Sequence, residues 1–336
     1  MPKRRTRYAR PMANPPKTGE AFAPELCRLV KQPPHGDGWL HEVKWDGYRI
    51  VTRIARGKVR VWSRNAIEWT AKVPELVQAV ASLELASAEL DGEMIVPSAG
   101  GSDFNALQGR LSAAKKAPLR YMLFDMPSLR GKSLRDKPLL ERKALLADVI
   151  ARSDRKVLAY SEHQIGHGDA LYAQAVKAGW EGIVSKRVDS PYRDGERNGD
   201  WVKIKARPSD EFAVVGFTRP KGGRAGIGAL LLATPARGEW LYIGRVGTGF
   251  DDKLLRDLRK ELSGNIVEAP SANAERMERK DRPLAIWVKP RLVVEVFHQG
   301  LGTQGLLRQA SFKAVRVDKT PADLVSPRRT PKRRAK

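Results

Sequence analysis

Between residues 39 and 205 the apolar positions switch repeatedly between a period of two and a period near 3.6, the signature of strands and helices sharing one core. Alternation over 48–54 and again over 58–62, broken by Arg56-Gly57, predicts a β-hairpin. Val73, Leu76, Val77 and Val80 fall on one side of a helix predicted over 71–83. Further strands are expected at 88–96, 119–124, 183–185 and 201–205, with a short helix at 104–111 between the first two. A helix over 138–150 has proline near its first turn, where the missing N–H is not needed, and another over 170–177 ends at Gly179.

Near Arg207-Pro208-Ser209 the pattern changes to short strands separated by glycine-rich turns, at 212–218, 229–233, 240–246, 292–297 and 311–317. One helix, 252–262, interrupts them. Short strands with one inserted helix suit a small barrel of the OB-fold type.

The 336 residues, 41% of them hydrophobic, suffice for two domains and exclude wholesale disorder. The formal net charge of +24 changes the picture. Lys3, Arg4, Arg5, Arg7 and Arg10 at the front, and Arg328, Arg329, Lys332, Arg333, Arg334 and Lys336 at the back, account for eleven charges; removing them still leaves +13. A body this basic calls for a polyanionic partner, and nucleic acid is favoured because counterion release drives such binding. The single Cys27 excludes an intrachain disulfide and suits a reducing cytoplasm. No apolar run reaches membrane-spanning length, and Arg4-Arg5 is followed by Pro11, Pro15, Pro16 and Lys17 rather than an apolar export segment.

The candidate chemistry concentrates in Glu42-Val43-Lys44-Trp45-Asp46-Gly47-Tyr48-Arg49, which sets a nucleophile, a carboxylate, a flexible turn and a guanidinium within eight residues. In Trp201-Val202-Lys203-Ile204-Lys205 the strand period puts Lys203 and Lys205 on one face. That face is either a solvated edge or a cradle for a phosphate chain, and its cations would depress the pKa of a nearby third lysine. Glu89, Asp91 and Glu93 likewise share a face and could bind metal or ribose hydroxyls. Glu181 precedes an apolar strand with Lys186 at its end, Arg64 in Ser63-Arg64-Asn65 can reach a phosphate, and Phe124 before Asp125 is either core or a base-stacking ring. His163 and His167 stand four apart, but Gly166 and Gly168 argue against a zinc-binding helix. Gly222 to Gly228 does not fit a dinucleotide-binding loop, and His41 is read as structural rather than as a base.

Taken in order, these segments resemble the covalent nucleotidyltransferase superfamily of ATP-dependent DNA ligases, RNA ligases and capping enzymes. With 222–232, 242–250 and 311–319 they are similar to its bacterial end-joining branch, the ligase module of ligase D and its stand-alone relatives. The resemblance covers roughly residues 20 to 322. It implies an α+β chain: a flexible basic arm at 1–20, an adenylation domain of antiparallel sheets with flanking helices at 21–207, an OB-fold β-barrel domain at 208–322 and a basic tail at 323–336. It implies Lys44 as the adenylated nucleophile, Glu42 beside the adenine edge through its backbone and Phe124 stacked on the ring. Arg49 and Glu93 would lie near the ribose, and Arg64 on the phosphate of the broken strand. Asp46, Asp91 and Glu181 would be metal-facing carboxylates, and Lys203 and Lys205 would hold the α-phosphate. Arg316, Asp318 and Lys319 on a mobile barrel domain would orient departing pyrophosphate. Where relatives often carry Arg-His-Pro this chain has Arg308-Gln309-Ala310, and Ala314 replaces a common glycine.

The expected activity is sealing of 5′-phosphate/3′-hydroxyl breaks in duplex DNA, with ATP and Mg2+ or Mn2+ as cofactors, by a monomeric cytoplasmic enzyme. An RNA ligase or GTP-using capping enzyme is the alternative enzyme reading, and a DNA-binding protein that lost catalysis is the non-enzymatic one. The length leaves no room for the polymerase and nuclease modules of some ligase D relatives, so end joining is expected to need separate proteins, a Ku-like end binder among them. The charged ends generate the first prediction. Trimming 1–10 and 328–336 weakens DNA binding and flattens its salt dependence, checked by titrations over a range of salt; an unchanged slope makes the tails bystanders.

Overall fold

The computed structural model describes residues 21–99, 101–111, 117–151, 153, 156–220, 226–279 and 281–325. The basic arm at 1–20, the tail residues 326–336 and part of the glycine-rich 222–228 segment lie outside the described residues. The chain divides into two compact units between Ile204 and Lys205.

The N-terminal unit holds two large sheets and a small one that pairs Pro97–Ser98 with Gly101–Ser102. One is the six-stranded sheet that contains the expected hairpin, Tyr48–Ala55 with Lys58–Ser63, followed outward by Ser87–Ile95, Arg120–Leu129 and Leu158–Tyr160. The other runs Arg28–Leu29, Trp201–Lys205, Gly182–Arg187, Trp39–Val43, His163–Ile165. The helix Leu139–Ala151 packs on the Arg120–Leu129 strand of the first sheet. Phe22, Leu40, Val51, Trp62, Leu139, Tyr192 and Trp201 form one apolar cluster drawing on both sheets.

The C-terminal unit is an antiparallel sheet in the order Glu239–Val246, Leu230–Ala236, Ser209–Thr218, Val293–Phe297, Ser311–Val315, with Ala285–Trp287 also on the central strand. Its outer strands approach through single backbone bonds rather than a ladder: Leu307 N–H donates to Ile243 (2.7 Å) and Phe312 N–H to Thr248 (2.8 Å). At this seam Phe250 stacks on Phe312 with ring centroids 4.4 Å apart. Gly249 sits there at φ +90°, and a Cβ would come within 2.5 Å of the Phe312 carbonyl oxygen, so only glycine fits. The expected helix runs Asp252–Ser263, with the Asp251 carboxylate accepting from Leu254 N–H (2.7 Å). Leu255, Leu258 and Leu262 bury its apolar stripe.

The helix expected over 71–83 is shorter, Pro74–Ala81, behind a 3-10 turn at Thr70–Lys72. Pro74 explains this: it starts a helix readily but cannot continue one. Strands of two or three residues, such as Arg28–Leu29, Lys132–Ser133 and His163–Ile165, were not expected, since so few residues display no period. Among the described residues no helix is long and apolar enough to cross a membrane.

Residues 22–28 form a strap tied to the 192–197 loop. Gly195 N–H donates to Ala23 (3.0 Å), Leu26 N–H to Glu196 (2.8 Å) and Arg193 N–H to the Glu25 carboxylate (2.9 Å). Glu25 is fully buried, its second carboxylate oxygen has no partner, and burial lifts its pKa from 4.5 to about 7. The folded chain keeps a proton on Glu25 that the unfolded chain sheds above 4.5. Its stabilisation is therefore complete below about pH 4.5 and lost as pH rises through about 7. Glu25→Gln should flatten this fall, gaining on the order of 2 kcal/mol at pH 8 and little at pH 5. Denaturant melts at both pH values check it; identical pH slopes in both proteins would refute it.

Candidate active site

Lys44, Trp45 and Asp46 link the end of one sheet's Trp39–Val43 strand to the start of the other sheet's Tyr48–Ala55 strand. The crossover is pinned at every step. Lys44 N–H donates to Gly182 (3.0 Å), the Trp45 indole N–H to Ser161 Oγ (3.1 Å) and Asp46 N–H to Ser102 Oγ (3.1 Å). A Cβ on Gly47 would lie 2.1 Å from the Met94 carbonyl oxygen, so glycine at this position is a steric requirement of the crossing.

This geometry presents the Lys44 ammonium to Glu181, Nζ to Oε2 2.5 Å, with side chains 19% and 7% exposed. Glu181 follows the helix Gly168–Ala178, whose end is set by Gly179 in the left-handed region, and it precedes the strand paired with Trp39–Val43. This contact joins residues 137 positions apart along the chain.

Beneath the crossover lies a buried polar network. The Glu42 carboxylate accepts from Lys143 Nζ (2.7 Å) and Lys186 Nζ (3.0 Å), all three side chains being at most 2% exposed. Burial pushes the Glu42 carboxyl up, and the two ammonium groups overcome it, holding it below the usual carboxylate range. Burial draws the Lys143 pKa down despite Glu42. Lys186 Nζ also sits 4.3 Å from the Phe124 ring centroid and 4.2 Å from that of Trp201, between edge-to-face rings. Phe124 stays half-buried, with the Arg49 guanidinium 5.2 Å from its centroid.

Arg49 donates two hydrogen bonds to Asp91 (2.9 and 2.6 Å) and one to the Glu25 carbonyl (2.6 Å). Asp91 also accepts from the Tyr192 hydroxyl (2.6 Å) and is fully buried. Asp91 is thus an orienting partner of Arg49, with both carboxylate oxygens engaged. Glu89, Asp91 and Glu93 do share a face, paired in unbroken register with Arg53, Val51 and Arg49, but their partners differ, Glu89 being taken by Arg135 (2.7 Å). Glu93 lies half-buried opposite Arg49 on the neighbouring strand. Arg64 is half-buried, its amide donating to the Arg49 carbonyl (3.0 Å).

Val202 and Ile204 pack into an apolar cluster with Ala175 and Ile183, leaving Lys203 half-buried on the other face, as the alternation predicts. Lys205 belongs to the C-terminal unit, where its ammonium donates to the Ser209 carbonyl (2.5 Å) and hydroxyl (2.9 Å) and faces Glu295 at 3.8 Å. In the same unit Arg316 is held by Asp318 and Glu211, and Lys319 by Glu211. Ala314 is fully buried. His41 is fully buried with Nδ1 2.7 Å from Ser185 Oγ, and a Cβ on Gly168 would meet its ring at 2.5 Å.

Sequence reasoning passed over Lys143 and the buried Arg142–Asp125 pair (2.8 Å). The signal was present. Leu139, Arg142, Lys143, Leu146 and Ile150 are the buried stripe of one helix, and two cations interrupt an otherwise apolar face.

Known proteins are similar to this chain over nearly its whole length. A family model described as ATP dependent DNA ligase domain matches residues 24–205, and one described as ATP dependent DNA ligase C terminal region matches 223–319. The multifunctional non-homologous end joining protein LigD of Pseudomonas aeruginosa is 37% identical over 333 residues, 95% of this chain and 39% of that protein. The multifunctional non-homologous end joining DNA repair protein LigD of Mycobacterium tuberculosis is 34% identical over 85% of this chain and 37% of its own length. This chain therefore spans well under half the length of these relatives. A solved structure of mycobacterial DNA ligase D complexed with ATP and MES matches with a TM-score of 0.71 at 30% identity, covering 90% of this chain and 98% of that one.

The reassignment of Asp91 is testable. Asp91→Asn strips the buried Arg49 guanidinium of its counter-charge and should destabilise the chain by about 3 kcal/mol or more, without raising the divalent-metal concentration needed for activity. Chemical melts and a metal titration check it; a metal requirement raised tenfold in a protein of unchanged stability would restore Asp91 as a ligand.

Proposed function

The chain belongs to the ATP-dependent DNA ligase family, and we propose that it seals 5′-phosphate/3′-hydroxyl breaks in duplex DNA through an AMP adduct on Lys44. The observation that carries this reading is the meeting of Lys44 with Glu181 at 2.5 Å, on a crossover braced along its length. In-line attack of the neutral Nζ on the α-phosphorus of ATP forms a P–N bond and expels pyrophosphate. Glu181 is in reach to accept the proton that Nζ must lose. An oxygen of the 5′-phosphate then attacks the adenylate, freeing Lys44 and leaving a DNA-linked AMP. Finally the 3′-hydroxyl attacks that 5′-phosphorus and AMP departs. Each step asks for positioning and charge stabilisation above all.

In this reading the half-buried Phe124 ring stacks on the adenine, with Glu42 at the base edge. Arg49, oriented by Asp91, and Glu93 lie by the ribose, while Lys203 and Lys205 serve the α-phosphate. Arg64 takes the phosphate of the broken strand, and Arg316, Asp318 and Lys319 the pyrophosphate. A divalent cation, Mg2+ or Mn2+, would offset charge on the phosphates. Asp46 and Glu181, hard oxygen donors beside Lys44, fit such an ion, which takes few protein carboxylates and fills its shell from phosphate and water. Both matched family models are of DNA ligases, so the RNA-ligase and capping readings are not carried further. The non-homologous end joining in the names of the LigD relatives supports double-strand ends as the setting, and a cytoplasmic monomer acting beside a Ku-like end binder is part of the same proposal.

Incubation with α-phosphate-labelled ATP should label the wild-type chain and α-labelled GTP should not. Lys44→Ala should lose the adduct by at least a thousandfold while retaining DNA affinity within about threefold. An acid-stable adduct at wild-type level in Lys44→Ala would overturn the choice of nucleophile.

A further inference from the structure

In the C-terminal unit one carboxylate stands where a phosphate would be expected. Glu211, near the start of the Ser209–Thr218 strand, takes Arg316 Nη1 on one oxygen and Lys319 Nζ on the other. The remaining Arg316 donors are also engaged: Nε and Nη2 form a fork with Asp318 (2.9 and 2.7 Å), and Nη1 has Glu295 at 3.5 Å. The two carboxylates differ in an important way. Asp318 is 4% exposed and lies two residues from Arg316, so it is a fixed brace. Glu211 is 22% exposed, belongs to a different strand, and bridges the guanidinium and ammonium as two phosphate oxygens would. With Glu211 in place, both cations are neutralised and their forks filled.

We propose that Glu211 is an internal stand-in anion, an autoinhibitory positioning residue that holds Arg316 and Lys319 until the polyphosphate of ATP displaces it. This rests on the reading of Lys44 as the nucleophile adenylated by ATP. The displacement has a thermodynamic signature. A ligand that must compete with an internal anion binds with its affinity reduced by the fraction of molecules in which the cations are available. Removing the charge of Glu211 raises that fraction, while Asp318 still orients Arg316. The change belongs to ATP capture and not to the later sealing step, which uses no polyphosphate.

The test is single-turnover adenylation of Glu211→Gln over a range of ATP, alongside sealing of a pre-adenylated nicked duplex. The KM for ATP in adenylation should fall about fivefold or more, with the maximal rate at or above wild type and pre-adenylated sealing within about twofold. Glu211→Asp retains the charge but is one methylene short of bridging both cations, and should shift KM the same way by less. It also serves as the folding-safe variant should the glutamine protein prove unstable. A KM unchanged or raised in a folded variant overturns the proposal. Wild-type chain that forms no adduct, or Lys44→Ala that still does, overturns instead the reading on which it rests.

Discussion

Glu42 is the constraint around which the N-terminal unit is organised. Its strand lies in one sheet; Lys143 comes from a helix packed on the other, and Lys186 from a neighbouring strand of its own. One carboxylate thereby fixes three elements at one point. The same device recurs nearby in Arg49–Asp91 and Arg142–Asp125, both with their acids fully buried. Such pairs add little net stability, because desolvating each ion costs about what the attraction returns, but losing one partner costs about 3–5 kcal/mol. Their effect is on geometry: an apolar contact tolerates sliding, whereas a buried carboxylate with two ammonium groups has few satisfactory arrangements. A site that must align an amine with a phosphorus atom benefits from that intolerance.

The crossover from Lys44 to Gly47 shows why the motif has its spacing. The chain leaves one sheet after Val43 and joins the other at Tyr48, so few residues carry it across. Lys44 must emerge opposite Gly182, which brings its side chain to Glu181, and Gly47 must pass over the Met94 carbonyl where no Cβ fits. Lys44, the proposed nucleophile, is thus held by a backbone bond at its own amide, while its long side chain reaches to Glu181.

Much of this was legible in the sequence, because alternation and glycine placement report local geometry. The hairpin, the Asp252–Ser263 helix and the outward face of Lys203 follow directly from period and turn chemistry. What escaped depends on contacts distant along the chain. Asp91 resembles Glu89 and Glu93 in a row of acids, and only Arg49 and Tyr192 single it out as a brace. Lys205 was grouped with Lys203 by strand period, yet Ser209 and Glu295 draw its ammonium into the other unit's charge cluster. The acid that Lys44 meets lies 137 residues away along the chain. Period says which face a side chain takes; it does not say what waits there.

The charge distribution then acquires a logic that +24 alone does not convey. Lys44, Arg49, Lys205, Arg316 and Lys319 each face a carboxylate. A cation so paired attracts diffuse counter-charge weakly, because its field is cancelled beyond a few ångströms. It responds to an anion that brings several oxygens at bonding distance and can replace the carboxylate in place. General attraction to the DNA backbone is therefore separable from recognition of the reacting phosphates. The former belongs to the exposed basic surface, and on the proposal made for Glu211 the latter belongs to Arg316 and Lys319, whose shared carboxylate sets a threshold for exchange. A ligase surrounded by a vast excess of unreactive phosphodiesters has need of that separation: a site of bare cations would bind any of them, whereas one already filled by its own carboxylates discriminates by charge density.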